Sequence, residues 1–301
     1  MQHVFLDFDK AGAEWVVVAY LSGDGRMIDV VESGQSPHPI TGSLMTRVPV
    51  ETIIKEDAVV GKLTDPTEIL QLRKEHFPEL FTGDYFLPRT MSIRQCGKKS
   101  NHGLNYDEGY RQFALINEME EKEAKTIVDL YKTVAYPGIP VWHESIRRQL
   151  RENRTLVNCF GRKRRFLEPW GNDLFKAAYA QLPQSTVVDM VNLGMVSAFK
   201  DDSEPFQAAS LMQQVHDSLV YCYPPVFEQM ALFCIKQSFE YMSPLCSYSG
   251  REFKVKTDLK MGFRLGEDDL VKVKLTENVD KMVENLKEAW EKINDTSKET
   301  P

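Results

Sequence analysis

No run of eighteen apolar residues occurs in the 301-residue chain, so no membrane-spanning helix is expected. The N-terminus passes directly into a strand-like run, without a charged segment followed by an apolar one, so no secretory leader is expected. Cysteine is scarce and scattered. The five residues (Cys96, Cys159, Cys222, Cys234, Cys246) form no Cys-x-x-Cys pair, which argues against a zinc site or a disulfide framework and favours a reducing cytoplasm. Internal repeats and low-complexity tracts are absent. An excess of positive charge is also missing: the formal net charge is −7. That average weighs weakly against a nucleic-acid binder, because phosphate contacts depend on local patches.

The chain does have the composition of a globular protein, 42% hydrophobic and 27% charged, at a length that suits one large domain or two ordinary ones. Its basic residues cluster at Lys98 and Lys99, at Arg147, Arg148, Arg151 and Arg154, and at Arg162, Lys163, Arg164 and Arg165. One such run is as often a solvated helix face as a ligand site. Three within one central segment point to a binding surface.

Residues 3–8 read as a strand and 12–21 as an apolar helix ending at Ser22-Gly23-Asp24-Gly25. Segment 34–48 reads as loop and short helix, and 66–76 as helix. The four-residue spacing of Arg94, Lys98, His102 and Tyr106 predicts a single helix over 90–115. Helices are expected over 119–134, stopped by Tyr136-Pro137-Gly138, and over 140–153. A hairpin turning at Gly161 is expected over 155–167, then a long helix over 171–199. Strands 211–216 and 218–223 meet in a tight turn at His216-Asp217, and a helix covers 225–241, with irregular strands to about 263. In 277–294, Val279, Met282, Val283, Leu286, Trp290 and Ile293 share one face of an amphipathic helix, expected to pack on the chain's own body, with a partner-binding helix as the less favoured reading.

Asp9 ends an apolar strand and Asp217 sits at a hairpin tip, two places where a carboxylate faces a cleft while its strand is anchored. Paired carboxylates can hold two divalent ions for in-line phosphoryl transfer. Lone aspartates at such positions are more often turn formers or helix caps. The basic face of the 93–110 segment adds a place for a triphosphate (Arg94, Lys98) and flat rings for a sugar or base (His102, Tyr106).

From about residue 3 to about 265 the chain resembles the polymerase region of family A DNA polymerases, with weak motifs in the family's order. Asp9-Lys10-Ala11-Gly12-Ala13-Glu14, with its helix ending Leu21-Ser22, is similar to the family's Asp-x-Ser-x-x-Glu motif. GQSPHPIT (34–41) resembles Gly-x-Asp-x-His-x-x-Thr. Arg94, Lys98, Asn101-His102-Gly103 and Tyr106 resemble the nucleotide-binding fingers helix. YPGIPVWHESI (136–146), Thr155 to Arg165, LPQST (182–186) and Val215-His216-Asp217 follow in register with later family segments.

The resemblance implies an α/β (α+β) fold: a palm with an antiparallel sheet and a helical fingers subdomain. The implied divisions are palm in 1–25 and 168–270, fingers in 26–167, and a C-terminal helix and tail in 271–301. It implies a DNA-directed DNA polymerase acting on a DNA primer-template and dNTP. Asp9 and Asp217 are the implied ligands of two Mg2+ ions, with Mn2+ as substitute. Arg94, Lys98, His102, Tyr106 and His38 are implied nucleotide contacts, with Glu14 as the sugar gate. Arg162, Gln184, His216 and Lys176 are implied primer-template contacts.

Three positions, and the short N-terminus, depart from the family pattern. His102 stands where Phe or Tyr is usual, Ser218 where a Glu usually follows the third-motif Asp, and Lys176 where Arg is common. Only eight residues precede Asp9, so the first strand and the 211–222 hairpin are expected to expose unpaired edges. The reading that follows is a phage-type split polymerase in a bacterial host cytoplasm, with thumb and exonuclease absent from this chain and a second polypeptide supplying the thumb. Two rivals stand beside it. A single-subunit RNA polymerase shares His216-Asp217-Ser218, but Glu14 favours deoxynucleotides. A non-catalytic DNA-binding replication subunit is disfavoured by the retention of both Asp9 and Asp217.

Overall fold

The computed structural model describes residues 3–266 and 269–296. The first half carries β1 (Val4–Lys10), α1 (Ala13–Ser22), α2 (Gly25–Ser33), α3 (Pro37–Thr46), α4 (Val50–Val60), α5 (Pro66–His76), α6 (Ile93–Gly103), α7 (Tyr110–Ile116) and α8 (Glu121–Leu130). Then come α9 (Gly138–Asn153), β2 (Thr155–Val157), β3 (Lys163–Arg165), α10 (Asn172–Lys200), α11 (Glu204–Gln207), β4 (Ser210–Val215) and β5 (Ser218–Tyr223). The chain closes with α12 (Phe227–Lys236), β6 (Cys246–Tyr248), β7 (Arg251–Phe253), β8 (Thr257–Gly262), β9 (Val271–Val273) and α13 (Val279–Thr296). The fold is mixed α/β with an antiparallel sheet. No helix among the described residues is long and apolar enough to cross a membrane.

Two compact units divide the chain. The first comprises Met1–Val17, Asn158–Arg162 and Gln184–Pro301. Its five-stranded sheet has the order β4-β5-β1-β8-β9, antiparallel throughout. β1 is a strand because its residues alternate. Val4, Leu6 and Phe8 are fully buried on one face, whereas Phe5, Asp7 and Asp9 lie on the other. Phe8 packs edge-on against Tyr221 and Phe233, at ring separations of 5.9 and 5.6 Å. Met282, Leu286, Ala289 and Ile293 of α13 close the same core, as the amphipathic pattern anticipates. Each large apolar side chain so buried contributes roughly 1.5–3 kcal/mol.

The fourth buried residue of that face of β1 is Lys10, 1% exposed. Its ammonium donates to the carbonyls of Met242 and Val255, both at 2.6 Å, and to Thr257 Oγ1 at 3.1 Å. It thereby ties the segment before β8 to β1.

Exposed edges on both the first strand and the hairpin are not what the sheet shows. β1 lies between β5 and β8, and β5 between β4 and β1; the later strand β8 covers the side of β1 that local sequence leaves open. Only β4 is an edge on the hairpin side, with all six residues exposed. An irregularity between Leu211 and Gln213 breaks its ladder, a common protection of edges.

The second unit comprises Val18–Val157 and Lys163–Pro183. Two of its helices, α2 and α4, fall where the sequence carries no assigned helix. Asp24 caps α2 by accepting from the N–H of Arg26 (3.1 Å) and Met27 (3.3 Å), and also accepts from Gly138 N at 2.8 Å. α3 and α6 approach closely: a β-carbon on Gly97 would sit 2.2 Å from the His38 carbonyl oxygen. The predicted single helix over 90–115 is broken. α6 ends at Gly103, a tight turn covers Leu104–Tyr106, and Asp107 takes a left-handed φ of 61° before α7 begins. Lys132 (2.5 Å) and Arg147 (3.2 Å) hold the Asp107 carboxylate and so stabilise the break. The hairpin of β2 and β3 is present as expected.

Glu56 and Arg73 form a buried ion pair at 2.6 Å. Arg73 also donates to the carbonyls of Pro88 and Met91, and Glu56 accepts from the N–H of Ile93 at the start of α6. Truncating one member of such a pair strands a buried charge. Arg73→Ala is therefore expected to destabilise the protein by about 3–5 kcal/mol, read as a lowered midpoint in urea denaturation.

Candidate active site

The outward face of β1 organises a row of carboxylates in the first unit. In the antiparallel register Asp9 lies opposite Ser218 of β5 and Asp258 of β8, and Asp7 lies opposite Val220 and Lys260. Residues directly opposite share a face, and so do residues two apart on one strand. Asp7, Asp9, Ser218, Asp258 and Lys260 therefore share one face.

Asp217 joins them from the turn. Val215 pairs with Ser218, so only His216 and Asp217 connect β4 to β5, and His216 takes a left-handed φ of 51°. The backbone N–H of Lys10 donates to the Asp217 carbonyl at 3.3 Å, which brings the turn to the end of β1.

Charge crowding marks this face. Burial raises the Asp9 carboxyl to about 6, assisted by the negative charges of Asp217, Asp7 and Asp258 and opposed by Lys260. Burial also raises Asp7, against a hydrogen bond from the Ser218 side chain and the charge of Lys260. Asp258 is paired with Lys272 at 3.0 Å.

Among the described residues no three His, Cys, Asp or Glu side chains converge as a complete metal cage. Magnesium does not need one. It takes hard oxygen ligands, keeps several waters and binds through one or two carboxylates plus a ligand's phosphates. Mutually repelling carboxylates, together with a buried Asp7 Oδ1 that finds no hydrogen-bond partner among the described residues, fit a divalent cation there.

A basic cleft lies in the second unit. Ser92 caps α6, accepting from Gln95 N at 3.1 Å. Cys96, Gly97, Ser100 and Asn101 turn inward, whereas Lys98, Lys99 and His102 are exposed. A cleft of about 770 Å³ is lined by Lys98, Lys99, His102, Tyr106, Glu108 and Lys176, among others. Three of the four residues predicted to share the basic face thus meet here. Arg94 is not part of the lining and pairs with Asp57 at 3.4 Å. Tyr106 reaches the cleft from the turn after α6, because the helix stops short of it.

His38 is hydrogen-bonded to Asn101 at 3.2 Å. Burial and the cations Arg94 and Lys98 push its imidazole down to about 4, so it is neutral at pH 7. Burial raises the Glu108 carboxyl, and Lys176 and His102 oppose the rise.

The remaining predicted residues lie in the first unit. Glu14 is in the first turn of α1, Gln184 is exposed on α10, and His216 is exposed in the β4–β5 turn. Arg162 is held by Asp189, its Nε within 2.9 Å of both carboxylate oxygens. The sequence marks none of Asp7, Asp258 and Lys10 as a site residue, whereas Lys99 falls in a basic cluster it does mark. A signal for Asp7 existed in its spacing of two from Asp9 on a strand. None existed for Asp258, which only the sheet register brings opposite Asp9.

A family model described as DNA polymerase family A matches residues 88–266. The thermostable DNA polymerase I of Thermus thermophilus is 24% identical over 250 residues, covering 80% of this chain and 25% of its own length. DNA polymerase I of Treponema pallidum is 21% identical over 227 residues, covering 73% of this chain and 19% of its own length. Among solved structures, the POL domain of Pol1 from M. smegmatis, in complex with DNA primer-template and dNTP, matches with a TM-score of 0.63 at 17% identity. That match covers 86% of this chain and 39% of the other. The chain spans a quarter or less of the length of these curated relatives.

The raised Asp9 carboxyl has a stability consequence with a definite sign. The folded state holds this proton more tightly than the unfolded state, so stability falls as pH rises from the ordinary carboxyl value of 3.8 to about 6, and the full cost persists above that. Asp9→Asn is expected to stabilise the metal-free protein near neutral pH by about 1–2 kcal/mol, a figure reduced for solvent screening of a half-buried group. The gain should vanish near pH 4. Denaturation midpoints at the two pH values test it; equal effects at both would show that the charge crowding is not its origin.

Proposed function

Because the chain belongs to DNA polymerase family A, we propose that it is a template-directed DNA polymerase that adds dNMP from dNTP to a primer 3′-hydroxyl. The observation that carries this reading is the pair Asp9 and Asp217, held together by the β1–β5 register and the bond from Lys10 N, in a chain matched by that family's model. The solved relative bound to primer-template and dNTP supports the same partners.

In this reading Asp9 and Asp217 would hold two magnesium ions, for which manganese could substitute. Such ions supply Lewis-acid stabilisation of the charge that develops on the attacking and leaving oxygens. The primer oxygen forms a bond to the α-phosphorus, the phosphoanhydride bond breaks, and pyrophosphate leaves. Lys98 neutralises triphosphate charge. His102 and Tyr106 present rings to the nucleoside, neutral His38, bonded to Asn101, is a further nucleotide contact, and Arg94 contributes charge from its pair with Asp57. Glu14 gates the sugar. Arg162, Gln184, His216 and Lys176 contact the primer-template; the place of Lys176 in the cleft lining also supports a nucleotide contact. Catalysis here is positioning and electrostatics more than covalent chemistry.

The palm comprises 1–25 and 168–270, the fingers 26–167, and the C-terminal helix and tail 271–301. The carboxylate-bearing sheet supports the first assignment and the basic cleft on α6 the second. A partner polypeptide carrying the thumb completes the reading. The exposed edge of β4, with Leu211, Met212 and Val215 open to solvent, supports its docking. The five free cysteines support a reducing, cytoplasmic setting; the phage-type assignment rests on the family resemblance.

Primer extension tests the core of this reading. On a primed DNA template with magnesium and dNTPs, alone or with a co-expressed thumb-bearing chain, Asp217→Asn is expected to abolish extension. Incorporation that survives the substitution, or a preference for NTPs over dNTPs, would overturn it. Lys98→Ala is expected to raise the KM for dNTP roughly tenfold, the size of one lost charge-assisted contact, while the affinity for primer-template stays unchanged.

A further inference from the structure

Position 218 sets up the inference. Ser218 lies opposite Asp9, so a carboxylate there would join the metal-binding row directly, but serine supplies only a hydroxyl. Asp7, two residues before Asp9 on the same face, is diagonal to Ser218 and accepts a hydrogen bond from its side chain. The Asp7 Oδ1 atom is buried and meets no hydrogen-bond partner among the described residues. Lys260, directly opposite Asp7, attracts its charge without an ion pair within bonding distance among those residues.

Asp7 is therefore a carboxylate set back from Asp9 and Asp217, oriented by a hydroxyl, with one oxygen uncommitted. Because no three-carboxylate cage forms among the described residues, Asp7 is placed on a cation-bound water rather than on the cation itself. We propose that Asp7 is the positioning carboxylate of the metal site: through Ser218 and a cation-bound water it supplies the third negative charge that position 218 lacks. The inference rests on the reading of Asp9 and Asp217 as metal ligands. It implies that residues 7 and 218 are functionally exchangeable, because a carboxylate from either strand enters the same row. Groups that orient metal ligands or metal-bound waters typically change affinity 10–100-fold when removed.

Manganese binding to the purified full chain, read by the electron paramagnetic resonance of free Mn2+, tests this without turnover. Wild type is expected to bind saturably and Asp217→Asn to lose that binding. Asp7→Asn should weaken binding about tenfold, and adding Ser218→Glu to Asp7→Asn should restore it to within about threefold of wild type. Ser218→Ala keeps the charge of Asp7 and removes only its hydroxyl donor, so it should fall between the two. It also provides a second, conservative variant should Asp7→Asn fold poorly by circular dichroism. The magnesium concentration giving half-maximal primer extension should shift in the same order. Unchanged manganese affinity in Asp7→Asn, or weakened affinity that Ser218→Glu does not restore, overturns the role of Asp7 and leaves the Asp9–Asp217 site standing. Absence of any saturable binding that depends on Asp217 overturns the metal site itself, and the role of Asp7 with it.

Discussion

The two-residue period of β1 is the constraint on which the first unit depends. Val4, Leu6 and Phe8 must face α12 and α13 to make a core, so Asp7 and Asp9 must face the other way. A slip of one residue would bury both carboxylates and expose the aromatic anchor. The strand cannot slip, because β5 and β8 clamp it on both sides. Lys10 adds a polar lock at its end, tying Met242 and Val255 to the strand that carries the site. Hydrophobic packing on one face thus determines where charge accumulates on the other.

That accumulation works against stability. Burial, assisted by the charges of Asp217, Asp7 and Asp258, raises the Asp9 carboxyl well above its ordinary range. The surrounding apolar packing tolerates a cluster that no folding requirement explains, which is the usual mark of a functional site. The second unit has the opposite sign. Lys98, Lys99 and His102 project from a helix whose other side is pinned by Gly97 against α3, so close helix packing presents the cations. One unit thus presents a row of carboxylates and the other a cluster of basic side chains.

Much of the architecture was legible because the relevant signals are local. The alternation at residues 4–9, the Tyr136-Pro137-Gly138 stop, the Gly161 turn and the apolar stripe of α13 each depend on neighbours within a few positions. The errors came where local signals compete. The four-residue spacing from Arg94 to Tyr106 reads as one helix, yet the chain turns at Leu104–Tyr106 because Asp107 is captured in a left-handed conformation by Lys132 and Arg147, 25 and 40 residues away. Asp24 caps α2 locally and also accepts a bond from Gly138 N, 114 residues on, which no local signal shows.

Sequence alone carries the resemblance to the family. Motif order singles out Asp9, Asp217 and the Lys98–Tyr106 segment, because acidic and basic side chains at set spacings are legible along the chain before any fold is known. Tertiary structure alone decided which other groups share their surroundings. Asp258 and Lys260 reach the row only through the β1–β8 register, Ser218 meets Asp7 only across β1–β5, and Arg94 turns to Asp57 instead of the cleft. Hydrogen-bond register between strands some two hundred residues apart, and the electrostatics that follow from it, have no local code, because a strand's preferred partner depends on every other strand that competes for the same edge.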